Sequence, residues 1–184
     1  GEEINATRDI SDYTLMAYCI DNDVPTFAAC RGMQMMSIVS GADFIQEIPD
    51  YYAEQNAEYN DLHRMPADAP NRDYARHDVE LIGTDTLMYQ IVGSSTLANV
   101  SSWHHQAVRS VEGTDLKVVA QTVDNGVTII EGVENPNNTF CLGVQFHPEN
   151  DCKLAIYDNN PEAALCDLDI CLNFFESLVE AAAA

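Results

Sequence analysis

Apolar residues recur at helical spacing over 9–22, where Ile10, Tyr13, Ala17 and Ile20 share one face and Asp9 or Ser11 can cap the start. Pro25 interrupts this run, and Thr26 to Ala29 reads as a short apolar strand. Gly32 to Val39 predicts a second helix, ended by Gly41. Cys30 therefore falls at the junction of a buried strand and a helix. Residues 49–76 have no clear period and read as a long surface loop, which in a compact domain is more often functional than idle. Beyond residue 77 the texture becomes β-rich, at His77–Ile82, Ala98–Ser101, Leu116–Thr122, Val127–Glu134 and Phe140–Phe146. Asp124-Asn-Gly126 between two of these predicts a hairpin turn. The last element, about 161–180, reads as an amphipathic helix with Leu165, Leu168, Leu172, Phe175 and Val179 inward. This order suits one α/β domain over 1–184 whose sheet carries an antiparallel extension. A doubly wound sheet normally opens with βαβ units, and no such opening strands are visible.

A length of 184 residues and a hydrophobic fraction of 46% allow a real core and exclude a disordered acidic tail. Net charge is −22, from 30 acidic and 8 basic residues, which argues against nucleic acid and against an anionic membrane surface. A solvated acidic shell accounts for it, and a salt-adapted host is the sharper alternative. No apolar run approaches the ~20 residues of a membrane span, and no signal peptide is visible. The six cysteines form no C-x-x-C pair, sit mostly among apolar neighbours and suit a reducing cytoplasm. Three N-x-S/T triplets, at Asn5, Asn99 and Asn137, carry no weight without a secretion signal.

Three segments carry candidate chemistry. In Ala28-Ala-Cys-Arg-Gly32, small residues let the chain turn sharply, and the helix start favours a Cys30 thiolate. The Arg31 N–H would point at a developing oxyanion. On that segment alone a buried structural cysteine fits equally well. In Gly143-Val-Gln-Phe-His-Pro-Glu149, a strand delivers His147, and Glu149 lies within reach to fix its tautomer. A lone histidine closing a strand end would look the same, but two matching halves make chance a poor account. In Ser101-Ser-Trp-His-His-Gln106, Trp103 and Gln106 suit a pocket lining, and packing suits them nearly as well. The adjacent His104 and His105 point to different sides of a strand. A zinc site would need a third ligand at suitable spacing, and acidic residues are plentiful, but Cys30 and His147 explain more, so no metal is expected.

Together these segments resemble the class I glutamine amidotransferase superfamily, with its flavodoxin-like sheet, and more closely its γ-glutamyl-γ-aminobutyrate hydrolase branch, peptidase family C26. Arg8-Asp9 with the following helix looks like that branch's approach to the nucleophile strand, and Pro25 to Gln34 looks like its nucleophile elbow. Gly41 to Ile48 is similar to the segment that follows, with Ala42 where a second glycine is usual. Ser101 to Val108 resembles its N-S-x-H-H-Q-A-V segment, with Ser101 in place of Asn, and Leu142 to Glu149 closes the match. The resemblance implies catalysis by Cys30, His147 and Glu149 through a γ-glutamyl thioester. It also implies an oxyanion contact from the Arg31 N–H. Gln34 and Ser102, Trp103, His104, His105 and Gln106 would hold the glutamyl group, with a leaving-group pocket near 49–76. No cofactor is implied.

The departures set a second expectation. Gly1-Glu-Glu-Ile-Asn5 looks like the tail of the family's Gly-Gly loop, which supplies the second oxyanion donor. The first third of the family domain would precede it. The chain then represents the C-terminal two-thirds, with its opening strands on another segment or a second chain, and a homo-oligomer is compatible with this. Three readings follow: a stand-alone γ-glutamyl hydrolase, a glutaminase subunit feeding ammonia to a synthase, and a non-catalytic binding relic.

Overall fold

The computed structural model of the chain describes residues 5–70 and 72–184. Helix α1 (Ala6–Asp21) starts earlier than its sequence suggests. Asn5 is its cap, its side-chain oxygen accepting the Arg8 N–H at 3.0 Å, because Ala6 to Arg8 are good enough helix formers to carry the helix upstream of Asp9 and Ser11. The inward face is also corrected. Met16 and Ile20 pack on the core, but Ile10 and Tyr13 are exposed, as are Leu15 and Tyr18. No residue of α1 is fully buried.

Strand β1 (Thr26–Ala29) runs parallel to β8 (Cys141–Val144), with Ala29 opposite Val144. The other four strands of this sheet are β3 (Ala75–Leu81), β4 (Thr96–Ser102), β6 (Lys117–Asp124) and β7 (Val127–Glu134). The order is β1-β8-β7-β6-β3-β4, and every pairing after the first is antiparallel. This is an α/β fold with an antiparallel extension. Asp124 pairs with Val127 across the expected two-residue turn, with Asn125 at φ +49° and Gly126 at +79°.

Helix α2 (Arg31–Ser40) covers one face of the sheet and α6 (Leu168–Ala183) the other. Strand β1 accordingly buries both sides, Ala28 towards Met33 and Met36 of α2, Phe27 towards Phe174 of α6 at a ring separation of 5.3 Å. Gly143 lets α2 approach β8, since a Cβ there would lie 3.0 Å from the Met33 Cβ. Gly143→Ala is expected to destabilise the fold by about 1–3 kcal/mol through overpacking. Equal unfolding midpoints in urea for the variant and the parent would rule this out.

Helix α6 begins at Leu168, later than its sequence suggests, because Asp167 caps it through the Asp169 and Ile170 N–H groups. That start sets the buried stripe on Cys171 and Phe174, flanked by Ile170, Phe175 and Leu178. Leu165 lies outside the helix, and both it and Val179 are exposed.

Four short elements escape a reading by periodicity. Strands β2 (Asp43–Ile45) and β5 (Ala107–Ser110) form a separate pair. Helix α3 (Ile48–Glu54) opens the expected 49–76 loop and, through Ile48 and Tyr52, covers Ile129 and Val127 of β7. Helix α4 (Leu87–Val92) is set by its ends: the Thr86 hydroxyl accepts the Tyr89 N–H, and Gly93 closes it at φ +73°. No helix among the described residues is long and apolar enough to cross a membrane.

Candidate active site

Cys30 ends β1 and caps α2 with φ +49° and ψ −106°, a backbone region that L residues rarely occupy. The turn is held from both sides: the Cys30 N–H donates to Val144 O at 2.8 Å, and its carbonyl accepts the Gln34 N–H at 3.1 Å. Gly32 keeps the turn clear, because a Cβ there would sit 3.2 Å from Ala28 Cβ. Arg31 is the first residue of α2, where an N–H has no partner within the helix. Its guanidinium turns away from Cys30 and binds Asp9 at 2.8 Å and Asp12 at 3.0 Å on α1. Gly1 to Ile4, most of the expected second oxyanion loop, lies outside the described residues.

His147 leaves the end of β8 and caps α5 (Pro148–Cys152). Its N–H donates to Ser101 O at 2.8 Å, which fixes it against β4. Its ring Nδ1–H donates to Glu149 Oε1 at 2.6 Å, a direction set by the carboxylate being an acceptor. Beneath this turn the buried Asp151 carboxylate accepts from Ser101 Oγ at 2.6 Å and Arg76 Nη1 at 2.7 Å. Sequence reasoning did not single out Asp151 or Arg76.

Burial alone would pull the His147 imidazolium down, but hydrogen bonding and charge from Cys30 and Glu149 outweigh it and lift the group to about 9. Cys30 thus lies close enough to act on His147. Yet His147 Nε2 is buried with no partner in hydrogen-bond geometry, and the Cys30 thiol faces Trp103 O at 4.0 Å. The two side chains are near but unaligned.

A cleft of about 270 Å³ opens beside Cys30, bounded by Gln34, Arg64, Trp103, His105 and Gln106. Gln34 Nε2 donates to Gln106 O at 3.1 Å and Gln145 Oε1 at 3.3 Å, and Gln106 Nε2 to Gln46 Oε1 at 2.9 Å. His105 turns outward to Glu47, 3.0 Å away. His104 borders the cleft, but its imidazole turns into the core, its Nδ1–H donating to Gln106 O at 2.9 Å. Both histidines lie between β4 and β5 rather than in a strand, though they diverge as expected. Ser102 sits in the core rather than on the cleft, because it ends β4 with its side chain inward.

The irregular stretch after α3 lies where a leaving-group pocket was expected, but the sequence did not disclose which of its residues form the wall. The Tyr74 ring stands edge-on to His147 at 5.2 Å and tilted against Trp103 at 5.7 Å. Burial first, then the nearby charges of Glu149 and Cys30, push its phenol up. Arg72 and Arg64 lie over the Trp103 ring at 4.7 and 5.8 Å. A larger cleft of about 550 Å³ adjoins, sharing Arg64 and His105 and bounded also by Tyr59 and Arg72. In a chain with 8 basic residues, three of them, Arg31, Arg64 and Arg72, border these two clefts.

The chain is 34% identical over 148 residues to protein NtpR of Enterococcus hirae, which covers 80% of this chain and 56% of that protein. It is 26% identical over 152 residues to the γ-glutamyl-γ-aminobutyrate hydrolase PuuD of Escherichia coli K12, covering 81% of this chain and 56% of that one. The chain thus spans little more than half the length of these relatives. The glutaminase domain of Trypanosoma brucei CTPS with bound acivicin shares the fold, with a TM-score of 0.61 at 20% identity, over 97% of this chain and 69% of that one. The sequence profile of the peptidase C26 family matches residues 1–149, a span that takes in Cys30, His147 and Glu149. With that match over most of its length and a class I glutamine amidotransferase fold, the chain belongs to the peptidase C26 family.

Proposed function

We propose that this chain carries the nucleophile, base and orienting acid of a cysteine hydrolase acting on γ-glutamyl amides. The observation that carries the reading is Cys30 on a strained strand-to-helix turn beside a histidine already bonded to Glu149. The Cys30 sulfur attacks the γ-carbonyl carbon, its proton having passed to His147, and a C–S bond forms. The oxyanion meets the Arg31 N–H. His147 then protonates the amine nitrogen as the C–N bond breaks, leaving a γ-glutamyl thioester. Water attacks the thioester, His147 takes its proton, and glutamate leaves as the thiolate is restored. Gln34, Trp103, His105 and Gln106 would hold the glutamyl group, and Arg64 suits its α-carboxylate. The larger cleft, bordered by Arg64 and Arg72, suits a leaving amine that itself bears a carboxylate, in keeping with the reaction for which PuuD is named.

The test is glutamate release by the whole protein from γ-glutamyl-aminobutyrate, γ-glutamyl anilide and glutamine, beside Cys30→Ala. Turnover of the first two that vanishes in the variant supports the hydrolase. No Cys30-dependent release from any of the three sinks it.

A glutaminase subunit serving a synthase is the second reading. The exposed Ile10, Leu15 and Tyr18 of α1 favour it, since such a face suits a protein partner. Turnover of glutamine alone, raised by that partner, would select it. We also propose that further strands add to the open edge of β1, from a preceding segment or a second chain. An intact native mass equal to that of this chain alone would contradict this.

A further inference from the structure

Beneath the cleft four side chains from separate elements converge. His63 comes from the irregular stretch after α3, His77 from β3, His104 from the β4–β5 connection and Glu131 from β7. All four are buried, and their ligand atoms lie within 4.8 Å of one another. Glu131 Oε1 is 3.1 Å from His63 Nδ1, 3.7 Å from His104 Nε2 and 3.8 Å from His77 Nε2. None of these contacts meets hydrogen-bond geometry: both Glu131 oxygens, both His63 nitrogens and the Nε2 atoms of His77 and His104 are buried without a partner. Buried polar atoms are rarely left so.

The outer hydrogen bonds sharpen the problem. His104 Nδ1 faces Gln106 O at 2.9 Å, so it must carry the proton. The Thr122 hydroxyl donates to Asp78 O at 2.9 Å, which leaves its oxygen to accept the His77 Nδ1–H at 3.1 Å. In both neutral rings Nε2 is then a lone pair, and both lone pairs face a carboxylate. A proton on Glu131 would satisfy one contact, whereas a cation satisfies all of them.

We propose that His63, His77, His104 and Glu131 form a structural site for a divalent transition metal, zinc foremost. Three imidazole nitrogens and one carboxylate oxygen are a tetrahedral zinc donor set, and four protein ligands leave no open position for catalysis. The outer hydrogen bonds of His77 and His104 are those that orient metal-binding imidazoles. Donors on a tetrahedral zinc lie ~3.3 Å apart, so binding draws the four side chains inward. The metal would clamp the stretch bearing Arg64, Arg72 and Tyr74 to the sheet beneath the active site. Adjacent His104 and His105 lacked a third ligand in the sequence, and the fold supplies three from elsewhere. The site stands independently of which amide is cleaved.

The test is metal analysis of the whole protein bearing Cys30→Ala, purified without an affinity tag, so that the nucleophile does not compete. About one zinc per chain is expected, and after chelation cobalt should give the visible bands of a tetrahedral ion without a sulfur charge-transfer band. Glu131→Gln should weaken zinc binding by at least ~100-fold, beyond what loss of an outer partner does. Should that variant not fold, the chelated parent must still gain melting temperature on zinc addition. Less than about a tenth of an equivalent on isolation, with no tetrahedral cobalt spectrum and no zinc-dependent melting shift, overturns the site. So does a cobalt spectrum showing thiolate.

Discussion

Cys30→Ala in the whole protein is expected to lower γ-glutamyl amide hydrolysis by at least ~10⁴-fold, the scale seen when a nucleophile is removed from a triad. Of the six cysteines only Cys30 lines the cleft; Cys141, Cys166 and Cys171 are buried, burial pushes the Cys141 thiol up to about 11, and burial also raises the half-buried Cys152. Substrate binding should persist, since Gln34, Trp103 and Gln106 are untouched, so the loss belongs in kcat. The same position stores strain, of order 1–3 kcal/mol for a non-glycine residue held at an unfavoured backbone angle. Cys30→Gly should therefore be both inactive and more stable than Cys30→Ala, by about 1 kcal/mol. Kinetics and urea unfolding on the three proteins read out both effects. Retained turnover in either variant would remove Cys30 from the reaction.

Glu149→Gln should cost about 10²–10⁴-fold in kcat/KM, because the amide no longer supports the imidazolium or fixes its tautomer. The pH profile separates this from simple damage. His147 titrates at about 9 in the folded chain, above its ordinary 6.5. If the protonated ring serves the leaving amine as proposed, it persists to about pH 9, where the alkaline limb of kcat/KM should fall. Without the Glu149 carboxylate that limb moves to lower pH. Stability follows with the same sign: a raised folded pKa contributes fully below 6.5 and is lost as pH climbs through about 9. An unmoved alkaline limb in Glu149→Gln would mean that Glu149 does not face the working histidine.

The two halves of the candidate active site were legible because each is local. A small-Cys-Arg-Gly turn and a strand-His-Pro-Glu turn each need a few adjacent residues, and parallel pairing of β1 with β8 then joins them. The wall built by Arg64, Arg72 and Tyr74 was not legible, because an irregular stretch has no period to say which residues face inward. The His63–Glu131 cluster escaped for a related reason, since its members come from four elements that meet only in the folded chain. Helix faces failed where context decides. Asp167 moved the start of α6 and with it the buried stripe, and α1 shows apolar residues that nothing among the described residues covers.

Arg31 occupies two places at once. Its backbone N–H, at the start of α2 beside Cys30, is the proposed oxyanion donor, while its guanidinium grips Asp9 and Asp12 of α1. Those carboxylates are more than a third exposed, so dissolved ions compete for the grip and weaken it as they accumulate. The elbow's other restraints, from Val144 O and Gln34 N–H, are backbone bonds that ions barely touch. Raising ionic strength should then loosen the Arg31 tie, while Met16 and Ile20 keep α1 packed on the core and Cys30 stays in place, so turnover should change little with salt.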